Sequence, residues 1–375
     1  MLFPVYLRMI FILMISVSIG FSGQAHAEAD AGAFDPYATK FMAPEEKVAW
    51  HGYSEFEYWD KEDKKKSFDA HKITVWMGVK LNEKTYLSSE IEYEHAPKLG
   101  GGDRKGGSGQ IKIDSMWLRV TPVEDTVLFA GVFYTMFGIE YLSYPGHKNK
   151  LVSRPKVMKG GGIVPGTWSD IGIGVTQTVS GVGQLDVYYI NGDAYNGGIS
   201  RDSSEGGNNG KSPGFRFMFN DFIEGLNIGA SYVSGKWDEN DLYNSARYGF
   251  HLRVDSDQFS GISAAPVLIA EYVTGTDEGA VSLGEEESAG VRDKKMDGFY
   301  IQLSSRVHPV IEVVGRYGQY DNDKDKIDNN KTETSLGMVW HALDGIQVKA
   351  EYQWNAEEGR DKKNNGAVVE LVAFW

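Results

Sequence analysis

Apolar and polar residues alternate along this chain in runs that recur from residue 48 to the C-terminus. The clearest run spans Ile346 to Asn355. Ile346, Val348, Ala350, Tyr352 and Trp354 share one face, and Gln347, Lys349, Glu351, Gln353 and Asn355 share the other. Successive side chains of a strand point to opposite sides, so this period of two predicts β-structure with one apolar face. The same reading predicts strands over 48–60, 67–81, 84–96, 109–121, 126–134, 169–179, 183–191, 213–220, 225–236, 244–255, 265–275, 294–307, 309–320, 331–341, 345–355 and 365–375. These are sixteen strands, mostly about 9 to 13 residues long, the length a tilted strand needs to cross a bilayer.

The connections alternate in length. Asn82-Glu83, Pro122 to Asp125, Ser180 to Val182, Asp221 to Glu224, His308 and Leu343 to Gly345 are short. The segments 97–108, 135–168, 192–212, 276–293, 321–330 and 356–364 are long. Tight turns at one end and long loops at the other predict an all-β fold, a transmembrane antiparallel β-barrel. Two places strain the pattern. The connection 256–264 is long for the turn end. In 109–121, Ile111 and Ile113 have the opposite parity to Met116 and Leu118, which a β-bulge would reconcile.

Arg8, the apolar stretch Met9 to Phe21 and the small-x-small site Ala25-His26-Ala27 read as a signal peptide over 1–27. Residues 28–46 lack alternation and are expected to form a periplasmic arm before a barrel over 47–375. Export and a barrel together imply the outer membrane of a Gram-negative-type cell, with its lipid and lipopolysaccharide as neighbours. The last strand sets Ala367, Val369, Leu371, Ala373 and Trp375 on one face and ends in Phe374-Trp375. That aromatic end is similar to the sorting signal read by the barrel-assembly machinery, which makes this machinery an expected partner.

Composition narrows the chemistry. The chain has no cysteine, which excludes thiolate metal sites and thiol catalysis. Its net charge of −14 disfavours nucleic acid, whose phosphates need clustered cations. Gly210-Lys211-Ser212-Pro213-Gly214 matches a hydrolase elbow, but Pro213 lacks the N–H that an oxyanion hole needs after the serine, so no enzyme is expected. Asp321, Asp323, Asp325 and Asp328 resemble a calcium loop, with Lys326 where that motif requires glycine. No histidine pair has zinc spacing, so neither a metal nor a cofactor is expected.

With the apolar face outward, Glu55, Glu57, Lys72, Lys80, Glu90, Glu92, Glu94, Lys349 and Glu351 fall inside, as do Arg119, Arg216, Arg253, Arg306 and Arg316. An Arg or Lys facing lipid at the bilayer midplane costs about 2–4 kcal/mol, so these charges predict a wet interior. The longest loop, from Thr135 to Trp168, carries Lys148, Lys150, Arg154, Lys156 and Lys159 against Glu140 alone, with His147 beside them. Three readings stand for these cations: a pore constriction that attracts anions, a solvated loop face, or contact with lipopolysaccharide phosphates.

Phe137-Gly138-Ile139-Glu140-Tyr141, then Pro165-Gly166-Thr167-Trp168-Ser169-Asp170-Ile171-Gly172 and Asn191-Gly192, resemble the phosphate-selective porin O/P family over roughly residues 120–195. Met136 and Trp168-Ser169 depart from the family pattern, which tends to have proline and often arginine there. The resemblance implies a 16-strand homotrimer whose long third loop folds inward and narrows the channel. It would set Lys148, Lys150, Arg154, Lys156 and Lys159 near the constriction, favouring small anionic solutes such as phosphate. The competing reading is an insulating barrel around a multihaem cytochrome, with the haems supplied by a partner.

Overall fold

The computed structural model describes residues 47–95, 109–143, 145–159, 162–165, 168–192, 209–220, 222–238, 240–256, 266–282, 291–359 and 362–375. The expected signal peptide (1–27) and periplasmic arm (28–46) lie outside the described residues, as do the connection 97–108 and all but Ser256 of the connection 256–264.

Sixteen strands follow in order: β1 (Val48–Lys61), β2 (Ser67–Asn82), β3 (Thr85–Glu94), β4 (Gln110–Val123), β5 (Thr126–Tyr134), β6 (Ser169–Val179), β7 (Gly183–Ile190), β8 (Ser212–Phe219), β9 (Leu226–Lys236), β10 (Asn244–Asp255), β11 (Val267–Ser282), β12 (Val291–His308), β13 (Ile311–Asp321), β14 (Lys331–Leu343), β15 (Ile346–Glu357) and β16 (Gly366–Phe374). Each pairs antiparallel with its neighbours in sequence, and β1 pairs with β16, so the sheet closes on itself. Closure leaves no row of unpaired backbone groups at an edge.

The alternation read from the sequence divides outside from inside. Outward residues are apolar and exposed, Trp50 at 62%, Ile173 at 59% and Leu336 at 55% among them. Inward positions on the same strands hold Glu92, Asp186, Arg216 and Lys349, all within 1% of full burial. Among the exposed aromatics, Trp50, Phe219, Phe222 and Trp375 lie at the turn end and Phe68, Tyr93, Tyr189 and Trp354 at the loop end, with Phe56, Phe250 and Tyr272 between them.

The parity conflict in β4 is resolved as a bulge. Ser115 pairs with Glu90 and Ile113 with Ile91, leaving Asp114 as the extra residue. Asp114 and Ser115 both turn inward, and Ile111, Ile113, Met116 and Leu118 all face outward. β11 and β12 run further than predicted, to Ser282 and from Val291. Their added rungs pair Thr276 with Lys295, Asp277 with Lys294 and Val281 with Arg292. Polar residues occupy both faces there, so the strands continue where the alternation that reveals them has stopped. A second bulge lies in β2. Glu55 pairs with Lys72 but Glu57 with Asp69, so β2 carries one extra residue around Ala70-His71.

The C-terminus completes the seam. Trp375 N donates to Gly52 O at 3.0 Å, and Gly52 N donates to Trp375 O at 3.1 Å. Gly52 has no room for a side chain, because a Cβ there would lie 2.6 Å from the Trp375 ring. Deleting Trp375 removes two hydrogen bonds worth about 0.5–1.5 kcal/mol each. The truncated barrel is expected to lose its compact, unheated electrophoretic mobility at a lower temperature than the full chain. An unchanged transition would mean that the terminal residue adds nothing to closure.

Candidate functional site

The connection between β5 and β6 is built around short backbone turns rather than regular structure. Glu140–Ser143 and Lys156–Met158 form single 3-10 turns. Gly138 takes φ +66°, and a Cβ there would meet the Glu271 carboxylate at 2.9 Å, so glycine permits both the turn and the close approach.

Side chains from the polar inward face of the wall hold this connection along its length. On the outgoing limb, Glu271 Oε1 of β11 accepts from the N–H groups of Ile139 (2.5 Å) and Glu140 (2.8 Å). Gly138 N donates to Ser231 Oγ of β9 (2.9 Å), and Arg216 Nη1 of β8 donates to Gly138 O (3.2 Å). Near the apex, Lys349 Nζ donates to Gly146 O, and His147 stacks on Phe374 with centroids 4.9 Å apart. On the return limb, Ser153 N donates to Glu351 (2.7 Å), Arg316 Nη1 to Ser153 O (2.8 Å) and Lys156 N to Glu333 (2.8 Å). Arg247 Nε donates to Ile163 O at 2.9 Å. Apolar packing reinforces these bonds. Phe137, Val157, Ile163 and Val164 are buried with Tyr188, Val273 and Tyr300 of the wall. Leu151 covers Gly337, where a Cβ would lie 2.5 Å from its Cδ2.

The five loop cations have different surroundings. Arg154 is committed to Glu140 through both Nε (2.7 Å) and Nη2. Lys150 pairs with Glu312 at 3.0 Å. Lys156 Nζ donates to Asn355. Lys148 lies within electrostatic reach of His51. Lys159 lines a cavity of about 410 Å³ between residues 149–159 and the inward faces of β1, β2, β3, β15 and β16. Burial holds the ammonium groups of Lys156 and Lys159 below their ordinary range.

Of the arginines expected to face the lumen, Arg119, Arg216 and Arg316 are buried, and most of the five are engaged by neighbours. Arg216 grips Asp186 Oδ2 at 2.9 and 2.7 Å. Arg316 holds the Ser153 carbonyl, with Glu333 at 3.6 Å and Glu351 at 3.9 Å. Arg119 donates to Ser88 (2.8 Å) and lies over the Trp117 ring. Arg253 pairs with Asp255 at 2.9 Å, and Arg306, half-buried, sits in register with Glu312. The sequence reading passed over the acids Glu271, Glu312 and Glu333, which organise the loop. Their inward parity was readable. Which loop atom each one meets was not.

No protein-family model matches the chain. An uncharacterized protein of Aquifex aeolicus is 25% identical over 366 residues, covering 88% of this chain and 80% of that one. The anion-selective porin of Comamonas acidovorans superposes with a TM-score of 0.60 at 13% identity, over 88% of this chain and 99% of that one. The barrel has a porin fold. The trimer form of OmpT, an outer membrane protein of Vibrio cholerae, superposes similarly, with a TM-score of 0.57 at 12% identity over 88% and 99% of the two chains. In this porin barrel, as the sequence predicted, all sixteen strands run antiparallel.

Glu271 is 2% exposed, so Glu271→Ala leaves two backbone N–H groups without their acceptor, at about 1–3 kcal/mol each. Limited trypsin digestion of the folded protein, followed by mass spectrometry, is expected to cut between Lys148 and Lys159 faster in this variant than in wild type. Equal cleavage rates would show that Glu271 does not tether the connection.

Proposed function

We propose that this chain is an outer-membrane porin, a non-enzymatic, water-filled diffusion channel for small hydrophilic solutes. The observation that carries this reading is the β5–β6 connection, bonded along both limbs to inward-facing side chains with a polar cavity beside it. On this reading the third loop folds inward, narrows the lumen and leaves the passage along β1–β3, β15 and β16. An insulating sheath around a multihaem cytochrome would need a clear bore, and the many tethers of this loop argue against one.

The passage favours anions, including phosphate, though without tight chelation. Arg154 and Lys150 are neutralised by Glu140 and Glu312. The preference therefore rests mainly on Lys156 and Lys159, with Lys148 at the apex. Ammonium groups act as compact point charges and attract an oxyanion without gripping it in two parallel bonds. Weak attraction suits conduction, since an ion must leave as well as enter. The resemblance to the phosphate-selective O/P porins, carried by residues 137–141 and 165–172, supports the same sign.

In planar bilayers under a KCl gradient, Lys156→Glu combined with Lys159→Glu is expected to move the reversal potential toward cation selectivity. A wild-type channel that is already cation-selective, or a double variant with wild-type potential, would remove this loop as the source of selectivity.

The assembly we propose is a homotrimer, supported by the trimeric form of the structurally similar OmpT. Crosslinking the detergent-extracted protein without heating should give a band at three chain masses. A monomer band alone would refute the trimer and leave the channel reading intact.

A further inference from the structure

We propose that Glu55, Glu57, His71 and Glu370 bind a divalent transition-metal ion of the Zn²⁺ type across the seam where the first and last strands close the barrel. The first observation is the register. Glu57 of β1 stands directly opposite Glu370 of β16, with Glu55 two residues along on the same inward face. Like charges directly opposite in a sheet are destabilising unless a cation joins them. Among the described residues, the ammonium groups within ion-pair distance of these three carboxylates are Lys349, 2.7 Å from Glu370, and Lys72, 3.7 Å from Glu55. Two ammonium groups against three carboxylates, with Lys72 shared with Glu92, leave the third carboxylate to be balanced by His71 or by a bound cation.

The second observation is the imidazole. The β2 bulge turns His71 inward beside Lys72 and sets its Nδ1 2.9 Å from Glu55 Oε2 and 2.8 Å from Glu57 Oε1. This nitrogen is buried and makes an aligned hydrogen bond to neither oxygen. A ring nitrogen carries at most one proton, so it cannot serve two carboxylates as well as a shared cation can. The spacing is near that of a metal site. A tetrahedral ion about 2.0–2.2 Å from its ligand atoms holds them about 3.4 Å apart, so Glu55 and Glu57 would open from His71 by about half an ångström to admit it. One ligand atom from each of the four residues falls within 4.8 Å of every other.

The surroundings resemble an outer coordination shell. Trp59 Nε1 donates to Glu57 Oε2, and Lys349 Nζ donates to Glu370 Oε2. Glu57 and Glu370 are each thereby oriented by one oxygen, which is how supporting groups fix metal ligands. All four residues line the 410 Å³ cavity, so an ion has a route to them. One imidazole among carboxylates favours a borderline first-row ion over Ca²⁺, whose ligands are oxygens. Bound there, the ion would join β1, β2 and β16. This assignment stands whether or not the passage conducts.

Chelator-stripped, folded protein in detergent is titrated with Zn²⁺ and separately with Ca²⁺ by calorimetry, and unfolding is followed by heat-modifiable electrophoretic mobility. One Zn²⁺ per chain is expected, bound more tightly than Ca²⁺, together with a higher unfolding temperature in Zn²⁺. His71→Asn and Glu57→Gln should each weaken Zn²⁺ binding by about tenfold or more and abolish the thermal shift. Glu94→Gln, on the same cavity wall, should keep both. Absence of Zn²⁺ uptake by the wild type, Ca²⁺ bound as tightly as Zn²⁺, or undiminished uptake in both site variants would each overturn the proposal. The wild-type titration alone can overturn it, so a variant that fails to fold does not shield it.

Discussion

Ring closure of the backbone hydrogen bonds is the constraint from which the rest of this structure follows. A sheet whose outer face is apolar can sit in hydrocarbon only if no strand edge is left open, because each unsatisfied N–H or C=O there costs several kcal/mol. Pairing β1 with β16 meets that condition, and the Gly52–Trp375 pair extends it to the final residue. Closure also fixes which face is inside, and the period of two then assigns every strand residue to the wall's exterior or to the lumen.

The lumen inherits the charges that the outer face excludes, and they mostly meet one another. Arg216 with Asp186, Arg247 with Asp277 and Lys349 with Glu370 are pairs within the wall. Truncating one member of such a pair strands the other in a buried site, which is strongly destabilising. Several other inward groups are used on the β5–β6 connection. Glu271, Glu333, Glu351, Arg216 and Arg316 bond its backbone, so a segment of little regular structure is held at many points. The groups that hold the connection are therefore largely spent as sources of field, and in the proposed channel the potential would depend on the remaining charges.

Strand existence and facing were legible because lipid and lumen impose opposite chemistry on adjacent residues. β5, β6 and β10 begin and end where the alternation does. The β4 bulge was legible too, since Ile113 and Met116 cannot share a face without an extra residue between them. β11 and β12 outran their predicted ends because polar residues on both faces carry no period of two. The β2 bulge left no such conflict. His71 suits either face of a strand, so its inward turn beside Glu55 and Glu57 was invisible along the chain.

By itself the sequence determined the antiparallel strand set, the polar interior and the basic β5–β6 loop, because each is encoded in neighbours a few residues apart. The tertiary structure alone decided which charges pair. Glu271 reaches Ile139 across 132 positions, and Ser153 reaches Glu351 across 198. Glu57 and Glu370 become neighbours only when the last strand returns to the first. Such meetings depend on barrel register, which is fixed by closing the whole ring and is written in no single segment.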